Sequence, residues 1–127
     1  MLFRSRGISH IDLSENNTGP LGGFEICKLL KCRNFQLSWL NLEGNQLKAE
    51  GAKYLADAIT NNNCQLRSLN LRYNNITETG AQHLANAITN NNCQLRTLNL
   101  LGNNITEAGR QALNLASNSQ SKCQLYF

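Results

Sequence analysis

Five cysteines, two histidines and eight scattered carboxylates are the residues of this 127-residue chain with chemistry to offer. Zinc would need clustered thiolates or imidazoles, yet no C-x₂-C pair occurs and His10 and His83 lie far apart. A disulfide framework belongs to small secreted chains, and no apolar run of signal-peptide length follows the opening "MLFRSRG". Acid–base and nucleophilic catalysis find no footing, because no paired-carboxylate motif and no nucleophile with a nearby base can be identified. The "LGG" at Gly22 and Gly23 lacks the spacing of a phosphate loop. No cofactor and no enzymatic activity are expected.

The cysteines carry a different message. Cys64, Cys93 and Cys123 each stand two residues before a leucine that opens a strand, while Cys27 and Cys32 sit elsewhere. Such a column places thiols side by side in a core, where each acts as a small apolar filler. Reduced, buried thiols and a reducing, cytoplasmic compartment are the expectation. Asn16, Asn75 and Asn104 begin N-x-T triplets, but Thr77 and Thr106 have a structural reason to be there, so no glycosylation is inferred.

The 41% hydrophobic and 16% charged composition suits one folded domain, residues 1–127, and no apolar run is long enough to cross a membrane. A net charge of +4 is mild. Lys28, Lys31 and Arg33 cluster near one helix end while Arg67, Arg72 and Arg96 are scattered, which reads as surface solvation rather than specific nucleic-acid binding.

What positions these residues is a repeat. Residues 37–65 and 66–94 are nearly the same segment, matching at 17 of 29 positions, and the pattern extends to residues 8–36 and 95–124. Within 66–94, "LRSLNL" alternates around Leu69 and Leu71 as a short half-buried strand. Ala81, Leu84, Ala85 and Ile88 then recur at helical spacing, with Thr77 as N-cap and Glu78 beside the helix dipole. Thr106 and Glu107 repeat that start, whereas Lys48 and Ala49 predict a weaker one. A single strand–helix unit of this length cannot bury an apolar face alone, so the units must stack, strands pairing in parallel and helices on the opposite side. The wider helix layer makes the strand wall concave. Asn45, Asn74 and Asn103 fall where the chain leaves the strand, and their amides are expected to satisfy orphaned backbone groups.

The pattern L-x-x-L-x-L-x-x-N-x-L, read as Leu66, Leu69, Leu71, Asn74 and Ile76, resembles the leucine-rich repeat. The longer "NxITExGAxxLAxAI" half is similar to the ribonuclease-inhibitor type, also found in the sensing regions of nucleotide-binding leucine-rich-repeat receptors. That resemblance implies an α/β solenoid, a short right-handed horseshoe of about four strand–helix repeats, serving as an intracellular interaction scaffold. It weakens at both ends. Thr18 replaces the usual Ile, with Pro20 opening the first helix; Arg110, Asn114 and Ser117 replace Ala81, Ala85 and Ile88, as a cap would need. The final "CQLYF" either folds Leu125, Tyr126 and Phe127 over an open end or begins a further repeat of a longer array.

Strand alternation sends the remaining residues outward. His10, Trp39, Ser68 and Thr97 form one column; Asp12, Asn41, Asn70 and Asn99 the next; then Ser14, Glu43, Arg72 and Leu101; then Glu15, Gly44, Tyr73 and Gly102 at the strand exit. Comparing the two middle copies, these columns differ where the core agrees, only Asn41 and Asn70 staying the same. The candidate partner-binding residues are therefore His10, Trp39, Asn41, Glu43, Ser68, Asn70, Arg72, Tyr73, Thr97, Asn99 and Leu101. Trp39 is the leading hot-spot candidate, unless it packs against Tyr73 or Arg72. Glu43 beside Arg72 reads as a surface ion pair, His83 falls on the outer helix side, and Tyr54 at the equivalent position leaves a convex contact region open. The expected function is binding a protein partner on the concave face, by a monomer or a weak self-associate through open ends. Two alternatives stand: a GTPase-activating role using Arg72, and a fragment of a longer receptor array.

Overall fold

A computed structural model describes residues 9–119 and 123–127. The proposed start of the first repeat at Ile8 lies outside them. The described residues form β1 (His10–Asp12), α1 (Gly19–Leu30), β2 (Trp39–Asn41), α2 (Lys48–Ile59), β3 (Ser68–Asn70), α3 (Thr77–Ile88), β4 (Thr97–Asn99), α4 (Glu107–Ser119) and β5 (Gln124–Tyr126). The five strands pair in parallel in chain order, and each helix packs on the next, giving the expected solenoid.

The register follows the period. His10 pairs with Trp39, Trp39 with Ser68 and Ser68 with Thr97, each step one full repeat along the chain. Leu40, Leu69 and Leu98 point inward at the strand centres and are fully buried, as are Leu42, Leu71 and Leu100 two positions on. From the other layer Leu55, Leu84 and Leu113 meet them, with Ala52, Ala81, Ile59 and Ile88 closing the helix contacts. Strand and helix faces thus share one continuous apolar seam.

Turning out of each strand is the work of the buried asparagines. Asn74 Nδ2 donates to the carbonyls of Leu42 at 2.9 Å, Leu71 at 3.1 Å and Arg72 at 3.1 Å. Its Oδ1 accepts from the N–H groups of Asn45 at 2.9 Å and Leu47 at 3.2 Å. Asn103 repeats the set one coil later, and Asn45 one coil earlier. One amide therefore joins two coils and satisfies groups that burial would otherwise orphan.

Three backbone positions are left-handed in each of the first three coils, and two in the fourth. One holds Glu15, Gly44, Tyr73 and Gly102; the second Asn17, Gln46, Asn75 and Asn104; the third Gly19, Lys48 and Thr77. The third corrects the capping expectation. Thr77 is the first helical residue, at φ +64, and makes no side-chain cap; its hydroxyl donates to the carbonyl of Ile76. Its N–H instead reaches Asn103 O at 3.0 Å, as Lys48 N–H reaches Asn74 O at 2.8 Å. The following coil pulls the residue into this conformation, so the α2 and α3 starts are alike and neither is capped by its side chain. Thr106 is not left-handed, and its Oγ1 accepts from Gly109 N–H at 3.3 Å as a true cap.

The last step also departs from expectation. Leu125 pairs with Leu98, closer along the chain than a full repeat, so β5 extends the sheet instead of folding across its end. Cys123 consequently falls beside Arg96 in register, outside the column of Cys64 and Cys93. The polar replacements on α4 hold this segment: Ser117 Oγ donates to Cys123 O at 2.8 Å, and the Arg110 guanidinium lies 5.5 Å from the Phe127 ring centre. Cys27, Cys64 and Cys123 are buried, but Cys93 is only partly so and Cys32 is exposed.

Candidate functional site

The outward columns fall together on the strand face in the expected order, but their members are not equally available. In the second column the side-chain oxygens are occupied. Asn41 Oδ1 accepts from Glu43 N–H at 3.0 Å, Asn70 Oδ1 from Arg72 N–H at 3.0 Å, and Asn99 Oδ1 from Leu101 N–H at 3.1 Å. Asp12 does the same for Ser14 at 2.9 Å, and hydrogen bonds from the Ser14 hydroxyl and N–H hold its carboxyl below the usual range. These residues close the strand exit, a role a repeated residue can fill in every coil.

Trp39 is half-buried rather than freely exposed. Its cover comes from a neighbour in its own column: the His10 ring stacks on it, centroids 5.6 Å apart and planes at 29°. The alternative packing partners Tyr73 and Arg72 belong to other columns, and the ring contact is with His10. Ser68 and Thr97, the remaining members of this column, are small and half-buried.

Around Arg72 the groups interlock. Its Nε lies 3.9 Å from Glu43 Oε1, the Asn70 amide reaches the same oxygen at 3.4 Å, and the guanidinium stands 5.4 Å from the Tyr73 ring centre. The Nε atom is buried and has no hydrogen-bond partner among the described residues.

Tyr73 is the most exposed aromatic on this face, at 55%, and it is left-handed at φ +54. Its column neighbours Gly44 and Gly102 take that conformation without a side-chain penalty. The Tyr73 ring lies over Gly102, where a Cβ would sit 2.3 Å from Cδ1. Leu101 (39% exposed) on the next coil and Tyr126 (43%) on β5 are also exposed in the C-terminal half. Tyr126 was missed from sequence because it pairs with Asn99 through the shortened last step. Placing Leu125 in the column of Leu98 rather than Leu95 would have found it.

Elsewhere the surface is self-satisfied. Lys31 pairs with Asp57, which raises the lysine's pKa, and Lys28 meets Glu25 at 3.0 Å. The basic cluster near α1 is thus partly neutralised. On the helix side Tyr54 is half-buried against Phe24, ring centroids 5.2 Å apart, and His83 is half-buried. No helix among the described residues is long and apolar enough to cross a membrane. Among them, no group of three or more His, Cys, Asp or Glu is placed to hold a metal ion.

A family model described as "Leucine Rich repeat" matches residues 34–56, 62–85 and 91–113. No curated protein matches the chain significantly.

Proposed function

This chain belongs to the leucine-rich repeat family, and from that premise we propose that it is a non-enzymatic module receiving a protein partner on its concave strand face. The observation that carries the reading is Tyr73. A non-glycine residue in the left-handed region costs about 1–3 kcal/mol, and in this column the alternative residue, glycine, stands on either side. At this position Tyr73 sets a half-exposed ring at the strand exit, over Gly102. Exposed aromatics in such settings are the residue type that dominates protein interfaces. Trp39 and His10 supply a second, flatter contact on the N-terminal half.

Capture of partner protein by the immobilised chain tests this. Trp39→Ala/Arg72→Ala/Tyr73→Ala should abolish capture while folding stability stays within about 1 kcal/mol. Undiminished capture by a folded triple variant would remove the strand face from consideration.

The ribonuclease-inhibitor-like subtype and an intracellular, reducing setting are part of the proposal. The helix-half motif "NxITExGAxxLAxAI" supports the first. For the second, burial pushes the Cys27, Cys64 and Cys93 thiols up, as expected for cysteines serving as core filler.

A further inference from the structure

The strand face is electrically divided, and the division runs across the strands. Its first two coils carry Asp12, Glu15 and Glu43 as their charged residues; the next two carry Arg72, with Arg67 and Arg96 at the entrance to their strands. Arg67 and Arg96 are exposed and sit immediately before β3 and β4, where Ser38 and Ser9 stand in the other coils. Among the described residues, neither half holds a charge of the opposite sign in these columns. The pair that bridges the seam is Glu43 with Arg72 at 3.9 Å. Strands about 4.8 Å apart put the centres of the two halves about 10 Å apart, close to one screening length at about 0.1 M salt. Each half therefore presents its own sign to a partner in contact with it. A net charge of +4 hides this, since the six residues cancel.

The apolar groups are divided too. Tyr73, Leu101 and Tyr126 are exposed on the basic half, whereas Trp39 on the acidic half is half-covered by His10. Resting on the strand-face reading above, we propose that the partner is a polypeptide segment with a dipolar surface, lying across the strands. Its basic part meets Asp12, Glu15 and Glu43. Its acidic part, carrying an apolar anchor, meets Arg67, Arg72 and Arg96. Complementary patches of this kind fix orientation and reject wrong partners more than they add affinity.

Two dye-labelled peptides of identical composition test the proposal. One has three lysines, a Gly-Trp-Leu-Gly core and three glutamates; in the other, lysine and glutamate alternate around the same core. Fluorescence anisotropy at low salt should show the segregated peptide binding about tenfold tighter, the gap narrowing at about 0.15 M salt. Either Asp12→Asn/Glu15→Gln/Glu43→Gln or Arg67→Gln/Arg72→Gln/Arg96→Gln, each checked for folding by circular dichroism, should abolish the preference. Equal binding of the two peptides, no binding of the segregated one, or a preference that survives in either neutralised protein overturns it. Trp39→Ala/Tyr73→Ala separates the two levels. Equal binding that this variant abolishes leaves the strand face as the site without charge selection, and binding that it leaves untouched removes the face itself.

Discussion

Replacing Asn74 by alanine should be among the most damaging single changes available to this chain. Its amide contacts five backbone groups, three carbonyls and two N–H groups, and the two N–H groups belong to the preceding coil. Alanine leaves the buried N–H groups of Asn45 and Leu47 without their acceptor. At about 1–3 kcal/mol for each orphaned group, the loss is about 2–6 kcal/mol, a large share of the roughly 5–15 kcal/mol typical of a domain. Asn16 is the internal control. It holds the same column position but is exposed, and its Nδ2 donates to Leu13 O at 2.8 Å and Ser14 O at 3.2 Å within its own coil. Water can replace those contacts, so Asn16→Ala should cost less than about 1 kcal/mol. Urea unfolding followed by circular dichroism measures both, and at a slope of about 1–3 kcal/mol/M the Asn74→Ala midpoint should fall by about 1–3 M. If the two substitutions shift the midpoint equally, or Asn74→Ala costs under about 1 kcal/mol, the coil-joining role is wrong.

Three further outcomes are expected. Thr106→Ala, which removes a true helix cap, should cost about 0.5–2 kcal/mol, while Thr77→Gly should be neutral or stabilising because it relieves a left-handed residue that caps nothing; thermal unfolding compares the two. Tyr73→Gly should leave stability unchanged or raised yet weaken partner capture, whereas Gly102→Ala should cost about 1–3 kcal/mol through its own φ of +73 and its collision with the Tyr73 ring. Alkaline pH should destabilise the fold. Burial pushes Cys123 up to about 12 and raises Cys27, Cys64 and Cys93 from 9.0. The folded chain then holds more protons than the unfolded one, so stability is intact below about pH 9 and declines as pH rises towards about 12. Urea midpoints across that range measure the decline, and Cys123→Ala should flatten it.

Much of the architecture was readable because every coil repeats the same test. Leu40, Leu69 and Leu98 occupy one column, so an inward assignment for one must hold for all, and the asparagine ladder follows from the same alignment. Where a coil lacks a successor in phase, that redundancy is lost. Leu125 could be aligned with Leu95 or with Leu98, and composition does not decide; pairing chose Leu98 and brought Tyr126 onto the strand face. Thr77 misled for a related reason. Its type suits a cap, but the carbonyl of Asn103 takes its N–H and turns the residue left-handed, a constraint imposed by the following coil and invisible in the local sequence. Of the candidate binding residues, the columns were placed correctly, while Asn41, Asn70 and Asn99 proved to be bound to their own backbone and Trp39 to be covered by His10.

The asparagine ladder gives the solenoid a direction in time as well as in space. Each amide oxygen serves donors in the coil synthesised before it, Asn74 closing the turn at Asn45 and Asn103 the turn at Asn74. A nascent chain leaving the ribosome therefore cannot seal one winding until its successor has emerged. Splicing in an extra winding preserves every junction. Trimming one from the C-terminal side takes away the acceptor of two N–H groups in whichever winding is left last.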